Sequence, residues 1–509
     1  MRKSSLLVLA LLAALALVAG SSASLKSPTL GPLSFIVGAT EDNALGEDDG
    51  GAAQYDQMTS HGLGAIRISV DYEAADPTTI QQEAQLERAI RAAVERGVRV
   101  MLSIAPGHAT DVTSDPNGVQ NFAAYTALVA RTFPDVKDFI IGNEPNLGRF
   151  WAPTYNANLS IVAGATYEAT LAASYDALKS VNPDIDVIGL ALSPRGDDRP
   201  GSAKNAVSPV RFINAVGNAY RASRRTKPIM DNVSIHPYPN VNTDPPDRGY
   251  AWPNIGVVNL GRAQQAFWDA FNGTAQPTFQ EPGSRRSQGV GSFVQWVLDE
   301  AGWQSDTRNL AGYTGIESVQ GGPINEATQA KYHAAIVSRF ACDPHVAALL
   351  FFHWIDEQDR DRFQSGVVRI DNTMKPGAQA VKEAVAAGCT GPQVSWRHST
   401  RVDGATSTWK PKRGFLFFVK AFEDASFRVT ATPTKRALAL AKKLKKKKLK
   451  PVTYKGKIKA YVSSGVRLKG IQYKNASSYT LSVKYTADMN RKRVTTLKTK
   501  KLHKPDVEA

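Results

Sequence analysis

The sequence AIRISV at 65–70, followed by QLERAIRAAVERG at 85–97 and VRVMLSIA at 98–105, decides the fold. The middle stretch places Leu86 and Ile90 on one face of a 3.6-residue period, and a glycine ends it. The two flanking stretches are apolar along their whole length, which is typical of strands buried on both faces of a parallel sheet. The sequence therefore predicts a parallel strand-helix-strand unit.

The same alternation continues through the first 390 residues. Predicted strands begin at Phe35, Ala65, Val98, Asp138, Asp186, Asn232, Val294 and Val346. Further helical patterns lie at 122–131, 165–180, 210–222, 260–271 and 327–340. Eight such units predict a (β/α)8 (TIM) barrel, with ligand chemistry at the carboxyl ends of its strands. The alternative is an open doubly wound sheet, but no glycine-rich phosphate loop follows the first strand.

The charge of the 509-residue chain is unevenly distributed. The whole chain carries 62 Lys and Arg against 46 Asp and Glu, whereas Val394 to Ala509 contains 30 basic and 6 acidic residues. The first part is therefore acidic and the last part strongly basic. Alternating apolar residues at 414–434 and 457–485 predict a small, basic, β-rich domain at 392–509, with a lysine tract at 442–450, after a barrel domain at 30–391.

The amino terminus has the pattern of a signal peptide at 1–23. Arg2 and Lys3 precede an apolar run at 6–18, and small residues up to Ala23 form a cleavage site. The alternative is an uncleaved membrane anchor, but the run is shorter than the roughly 20 residues that span a bilayer. No later segment has 18 consecutive apolar residues, so we expect no other transmembrane segment and a secreted or envelope-associated protein.

The two cysteines, Cys342 and Cys389, are too few for a thiolate metal site. Export permits a disulfide between them, and the alternative is two buried free thiols. No cluster of His, Asp and Glu has metal-ligand spacing, so no metal and no cofactor is expected.

Acidic residues follow two of the predicted strands at the catalytic rim. IIGNEPN at 140–146 brings Asn143 and Glu144 there, and VLDEAGWQ at 297–304 brings Asp299 and Glu300. Two carboxylates across a barrel mouth suit glycosidic bond cleavage, in which one protonates the leaving oxygen and the other attacks the anomeric carbon or activates water. Their mutual repulsion is expected to raise the pKa of one carboxyl group and keep it protonated.

On these motifs the chain resembles the retaining glycoside hydrolases of clan A, the superfamily that includes cellulase-like family 5 and xylosidase-like family 39. The resemblance covers about 35–387. It implies that Glu144 is the general acid/base, Glu300 the nucleophile and Asn143 a ligand of the sugar 2-hydroxyl. It also implies that Arg67, on the second strand, supports the nucleophile.

Further positions match the same resemblance. His236 and Tyr238 correspond to the His-x-Tyr that ends the sixth strand, and Trp354 to a tryptophan that ends the eighth and forms the floor of a subsite. Trp151 offers a second flat face for a sugar ring. Family 5 usually carries a histidine at the end of the third strand, and here His108 lies a few residues late.

Several alternatives remain open at the sequence level. Glu281 precedes Pro-Gly and is a rival nucleophile, although no buried strand comes before it. The predicted activity is hydrolysis of O-glycosidic bonds in a carbohydrate, with transglycosylation as a variant and a catalytically inactive, carbohydrate-binding barrel as the alternative. The basic tail is expected to bind anionic cell-envelope polymers. No nucleic acid is expected as a partner, because no nucleic-acid-binding motif accompanies the lysines.

Overall fold

The computed structural model describes two long stretches of the chain and several shorter ones. These are residues 35–281, 293–396, 402–410, 414–421, 425–443, 450–458, 464–468, 479–487 and 494–499. The predicted signal peptide at 1–23 lies outside the described residues.

Eight parallel strands form a closed barrel in the order β1 to β8, and β1 pairs with β8. The strands are β1 (Ile36–Thr40), β2 (Ala65–Tyr72), β3 (Arg99–Pro106), β4 (Asp138–Ile141), β5 (Asp186–Leu192), β6 (Asn232–Ile235), β7 (Trp296–Ala301) and β8 (Val346–Phe352). All eight begin within two residues of the predicted starts. The (β/α)8 barrel predicted from the alternation of strands and helices is therefore confirmed.

An α-helix follows each barrel strand. The helices are α1 (Ala52–Ser60), α2 (Glu83–Glu95), α3 (Gly118–Thr132), α4 (Ala163–Val181), α5 (Pro209–Ser223), α6 (Leu260–Phe271), α7 (Glu326–Ala341) and α8 (Pro376–Ala387). The helix α2 ends just before the predicted stop at Gly97, whose φ of 69° is the left-handed conformation that glycine adopts without strain. The sequence patterns missed α8 and also α1, part of whose buried face is polar, with Gln54 beside Tyr55.

The barrel strands are buried on both faces. Inside the barrel, Met101, Ile140, Ile188 and Val297 belong to one cluster of buried side chains. A larger cluster fills the space between the strands and the helices. Burial on both sides explains why the strands read as continuous apolar runs, and it fixes the carboxyl ends of the strands as the open mouth of the barrel.

An ion pair and a disulfide stabilise the end of the barrel that lies opposite the mouth. Arg99, at the start of β3, donates to Asp138, at the start of β4, with Nε 2.6 Å from Oδ2. The sulfur atoms of Cys342, at the end of α7, and Cys389, after α8, are 2.07 Å apart and form a disulfide. The described helices include none that is long and apolar enough to cross a membrane.

The described strands beyond residue 400 form two small antiparallel sheets. One has the order β13-β10-β9, and the other β12-β11-β14-β15. The strands are β9 (Val402–Lys410), β10 (Gly414–Ala421), β11 (Ala425–Pro433), β12 (Val452–Ile458), β13 (Ser464–Leu468), β14 (Tyr479–Ala487) and β15 (Val494–Thr499). The helix α9 (Lys435–Lys443) was not predicted, and it contains the first two lysines of the lysine tract; residues 444–449 of the tract lie outside the described residues.

Candidate active site

Glu144 is held at the mouth by the backbone of two neighbouring strands. It follows β4 by three residues with a φ of 40°, a left-handed conformation that costs a non-glycine residue about 1–3 kcal/mol. Its amide donates to the carbonyl of Ala191 at 2.9 Å. The hydroxyl of Tyr167 links the same strand ends, because it donates to Ile141 O at 2.7 Å and accepts from the amide of Leu190 at 2.7 Å. Glu144 is therefore placed by a strained but doubly anchored turn.

Asp299 and Glu300 both reach the site although they are consecutive in β7. Side chains alternate along a regular strand, so neighbours point to opposite faces. The pairing of β7 with β8 shifts its register between Leu298 and Ala301, which is a local irregularity in the strand. Arg67 contacts both carboxylates, with Nε 3.2 Å from Asp299 Oδ2 and Nη1 2.7 Å from Glu300 Oε1.

Each carboxylate oxygen of Glu300 has its own donor. Arg67 Nη1 donates to Oε1 at 2.7 Å, and the hydroxyl of Tyr238 donates to Oε2 at 2.9 Å. The second guanidinium nitrogen of Arg67 donates to Ser103 Oγ at 2.9 Å and to Asn143 Oδ1 at 3.1 Å. This arrangement fixes the orientation of Glu300 and places Asn143 beside it.

His236 lies at the centre of the site, between three carboxylates. Its Nδ1 is 3.2 Å from Glu144 Oε1 and 3.4 Å from Glu300 Oε2. Its Nε2 is 3.3 Å from Asp299 Oδ1, which also accepts a hydrogen bond from the hydroxyl of Ser234. The ring is completely buried. One imidazole thus connects both predicted catalytic glutamates to a third, deeper carboxylate.

The surrounding charges set the protonation of His236 and Asp299. Burial alone lowers the pKa of His236, but the negative charges of Glu300 and Asp299 outweigh it and raise the pKa to about 10. Burial alone raises the pKa of Asp299, but the positive charges of His236 and Arg67 reverse this effect and lower the pKa to about 2. Burial and the neighbouring Glu300 raise the pKa of Tyr238 well above its ordinary value, so its hydroxyl remains a donor.

The structure reverses the direction expected for the pKa of Glu144. Repulsion between the two glutamates was expected to raise the pKa of one of them. Burial does raise the pKa of Glu144, but the hydrogen bond and positive charge of His236, together with the charge of Arg149, outweigh burial and lower it. The reason is the cation that lies between the glutamates, which the sequence motif does not reveal.

Two predicted sugar platforms are not available for binding. Trp354 is fully buried, and Trp151 is 1% exposed, packs edge-on against Tyr167 and donates from its indole to Thr166 at 3.0 Å. Their faces are covered by protein, so the expectation that they stack on a sugar ring is wrong. The partly exposed rings next to Tyr238 are instead Phe352 and Phe363.

The structure places His108 and Glu281, whose roles the sequence left open, outside the central cluster. His108 is exposed at the rim, with Nδ1 3.8 Å from Glu73 and 3.6 Å from Asp111. The possible ligand atoms of these three residues lie within 4.8 Å of one another, a grouping that sequence spacing did not reveal. Glu281 follows Gln280, whose carbonyl is 2.8 Å from His345 Nε2, at the start of β8. That position is at the end of the barrel opposite Glu300.

Two residues of the site were not assigned by the sequence. Asp299 was recognised at the rim, but its role beneath His236 depends on the irregularity of β7, which has no sequence signal. Arg149 follows β4 by eight residues, and its guanidinium lies over the ring of Phe150 at 4.3 Å. Its Nη2 is 3.3 Å from Glu144 Oε2. The only available signal was an Arg five residues after the glutamate of the NEP motif, in a loop whose path is unknown without a structure.

Several solved structures are similar to this chain, whereas known sequences are not. No family model and no curated protein sequence matches the chain. Among solved structures, a family 39 glycoside hydrolase from the gut symbiont Bacteroides cellulosilyticus WH2 matches with a TM-score of 0.47 and 14% identity, over 86% of this chain and 81% of that one. A monomeric β-xylosidase from Caulobacter crescentus CB15 matches with a TM-score of 0.44 and 14% identity, over 86% of this chain and 95% of that one.

A GH5_18 protein from Bifidobacterium longum subsp. infantis matches with a TM-score of 0.44 and 13% identity, over 71% of this chain and 80% of that one. Glycoside hydrolases of families 39 and 5, which the sequence motifs resemble, are therefore found among the matching structures. At these identities and TM-scores the matches carry no inference about activity or substrate.

Proposed function

We propose that the protein is a retaining glycoside hydrolase that cleaves O-glycosidic bonds of an oligosaccharide or polysaccharide. One observation carries this proposal: oxygens of Glu144 and Glu300, at the ends of β4 and β7, lie within 3.4 Å of the same nitrogen of His236. Because these oxygens are 3.2 Å and 3.4 Å from the nitrogen, they are at most 6.6 Å apart, which favours the shorter separation of a retaining enzyme. Retaining enzymes place their carboxyl groups about 5 Å apart, whereas inverting enzymes need about 6.5–9.5 Å to admit a water molecule.

In the first step, Glu300 attacks the anomeric carbon while the bond to the leaving oxygen breaks. Glu144 donates a proton to that oxygen, so the products are a glycosyl ester on Glu300 and a free alcohol. Arg67 and Tyr238 support this step because each donates a hydrogen bond to one oxygen of Glu300, so that together they orient the carboxylate. The side-chain oxygen of Asn143, which accepts from Arg67, leaves its amide group available for a hydroxyl of the sugar.

In the second step, Glu144 acts as a base. It removes a proton from water, the water oxygen attacks the anomeric carbon, and the ester bond to Glu300 breaks. A sugar hydroxyl in place of water would give transglycosylation through the same intermediate. Because the glycosyl ester removes the charge of Glu300, His236 then has one carboxylate fewer beside it, and its hydrogen bond to Glu144 becomes the main contact at Nδ1.

The test of this proposal is the nucleophile variant Glu300→Ala, assayed on a panel of aryl glycosides. The wild type should release aryl alcohol from at least one sugar with retention of configuration. The variant should lose at least about a thousandfold in kcat, and azide should partly restore turnover by forming a glycosyl azide. The matched control is Glu281→Ala, which removes the rival glutamate at the other end of the barrel and should leave turnover close to the wild-type value.

Four results would contradict the proposal. Inverted product configuration would exclude the covalent intermediate. Full activity of Glu300→Ala, or loss of activity in Glu281→Ala alone, would assign the nucleophile elsewhere. Sugar binding without turnover in the wild type would favour the carbohydrate-binding alternative.

We further propose that the protein is exported and that its basic tail binds anionic polymers of a cell envelope. The signal-peptide pattern at 1–23 and the excess of lysine and arginine after Val394 support this location. A division into a barrel domain at 30–391 and an accessory domain at 392–509 would let the two parts act separately. Deleting residues after Gly391 should abolish binding to isolated cell walls at low salt. Unchanged binding would contradict a role for the tail.

A further inference from the structure

The two oxygens of Glu144 face different surroundings. Oε1 is 3.2 Å from Nδ1 of the buried His236, whereas Oε2 is 3.3 Å from Nη2 of Arg149. The side chain of Arg149 is 69% exposed, so Oε2 is the oxygen on the solvent side. If Glu144 is the acid/base, the proton for the leaving group must be on Oε2, because Oε1 is occupied by His236. The leaving sugar therefore departs next to Arg149.

The charges of the rim also differ between its two sides. The loops after β1, β2 and β3, at 41–51, 73–82 and 107–117, contain nine Asp and Glu and no Lys or Arg. The loops after β4 and β5, at 142–162 and 193–208, contain four Lys and Arg and three acidic residues. The β4 and β5 loops are joined to each other through a bridge between Leu147 and Ala206 and a hydrogen bond from the amide of Gly148 to the carbonyl of Asn205 at 3.2 Å. Among these five loops, Arg149 therefore lies on the side that is not acidic.

The charge of the central cluster depends on Arg149. Arg67 and the protonated His236 are two cations, and Glu144, Asp299 and Glu300 are three carboxylates. Arg149 supplies the third positive charge. When Glu144 takes up its proton, Arg149 loses its partner, and an anionic group on the substrate would replace that partner.

From this geometry we infer that the enzyme acts on an acidic saccharide whose leaving-group sugar carries an anionic group, carboxylate or sulfate, that binds Arg149. The inference rests on the proposed function, because it takes Glu144 as the acid/base. Phe150, beneath the guanidinium, holds Arg149 in place by a cation–π contact. Arg149 is thus a specificity-determining residue.

Binding of the anion would also prepare Glu144 for its role as acid. The groups that act on the Glu144 carboxyl are His236, Arg149 and the hydroxyl of Ser193, with Glu300 on the other side of His236. When a substrate anion neutralises Arg149, one of the two cations that keep Glu144 ionised is cancelled. Glu144 then binds its proton more readily, so an anionic substrate promotes the protonated state that its own cleavage needs.

The experiment compares leaving groups on the wild type and on Arg149→Gln. It uses aryl glycosides of a sugar that the wild type hydrolyses, with leaving groups of matched pKa that carry a carboxylate, a sulfonate or a neutral carboxamide. The wild type should prefer the anionic groups by about tenfold in kcat/KM at low salt, and the preference should shrink as salt is added. In Arg149→Gln the preference should fall to near one, and Arg149→Lys should keep part of it.

A pH profile separates a binding role from a structural one. With the wild type, activity on the anionic substrates should persist to a higher pH than activity on the carboxamide, and this difference should vanish in Arg149→Gln. The matched control is Arg248→Gln. Arg248 is another exposed arginine of the rim, 3.0 Å from Asp244, and its removal should leave the preference unchanged.

Each failure has a separate meaning. If the wild type hydrolyses neutral aryl glycosides but shows no preference for the anions, or if Arg149→Gln retains the preference, the inference is wrong while the glycosidase proposal stands. If no glycoside of any charge is hydrolysed, the glycosidase proposal itself fails. A preference for sulfonate over carboxylate, or the reverse, identifies which anion the site takes, and disaccharides with a uronate or a 6-sulfate at the leaving position extend the result to natural linkages.

Discussion

Replacing Asp299 with asparagine should make the stability of the barrel less dependent on pH above neutrality. Asp299 is completely buried, with Oδ1 3.3 Å from His236 Nε2 and Oδ2 3.2 Å from Arg67 Nε. The substitution keeps the shape of the side chain and removes its charge. Its main effect should be on His236, because the pKa of this imidazole is raised by the carboxylates around it.

The size of the expected change in the free energy of unfolding follows from the pKa of His236. A histidine whose pKa rises from 6.5 in the unfolded chain to about 10 in the folded protein stabilises the fold below pH 6.5. That contribution is lost as the pH rises from 6.5 through 10, and a shift of this size corresponds to on the order of 5 kcal/mol. One charge pair at about 4 Å is worth about 4 kcal/mol, or about three pKa units, at an effective dielectric constant of 20. In the variant, His236 should therefore titrate close to its ordinary pKa.

The assay is the free energy of unfolding of the wild type and of Asp299→Asn, measured in urea at several values between about pH 6 and pH 10. The advantage of the wild type should be larger near pH 6 than near pH 10 by about 4 kcal/mol. What remains near pH 10 is the loss of the ion pair between Asp299 and Arg67, which does not titrate in this range. Other lysines and tyrosines titrate equally in both proteins, so they cancel in the difference. NMR of the imidazole nitrogens would report the pKa of His236 directly.

A suitable control removes a carboxylate whose partner does not titrate in this range. Asp306 forms a two-pronged ion pair with Arg308, at 2.9 Å and 2.6 Å, and Asp306→Asn should lose the same stability throughout the range from pH 6 to pH 10. If the difference between wild type and Asp299→Asn were also independent of pH, His236 would not be the cation that joins the three carboxylates. The imidazole of His236 between Glu144 and Glu300 would then have to be neutral.

Two further predictions concern the parts of the barrel away from the mouth. Burial, with the nearby charges of Asp138 and Asp231, raises the pKa of Asp186 from 3.8 to about 7. The ionised side chain therefore destabilises the fold increasingly as the pH rises from about 4 through 7. Asp186→Asn should raise the free energy of unfolding, measured in urea, by up to a few kcal/mol at pH 8 and by little at pH 4. The disulfide between Cys342 and Cys389 spans 47 residues, and its replacement by two serines should lower the free energy of unfolding by about 4 kcal/mol, measured without reductant against the wild type.

The order of strands and helices could be predicted because the barrel buries each strand on both faces. A short, continuous apolar run such as VAALLFF in β8 is typical of such a strand, and the predicted starts of all eight strands lie within two residues of the structure. The helix α9 was missed because its lysines suggested a solvated tract and its alternating Ala and Leu residues do not have the period of a helix.

The contents of the site were predictable only in part. Residues at strand ends, such as Glu144, Glu300 and His236, come together because all parallel strands end at the same mouth. The burial of Trp151 and Trp354 was not predictable, because whether a ring faces the mouth or the helices depends on turns of one or two residues. The same limit applies to Arg149, whose loop runs back to Glu144.

The charge arrangement explains why the motif alone indicated the wrong direction for the pKa of Glu144. Two glutamates considered by themselves repel each other, so one should hold its proton. With His236 between them the pair becomes part of a larger ionic cluster, in which the hydrogen bond and charge of His236 lower the pKa of Glu144. The proton needed for catalysis must then be favoured by something that arrives with the substrate. An anion at Arg149 provides that change, so substrate recognition and readiness of the acid would depend on the same arginine.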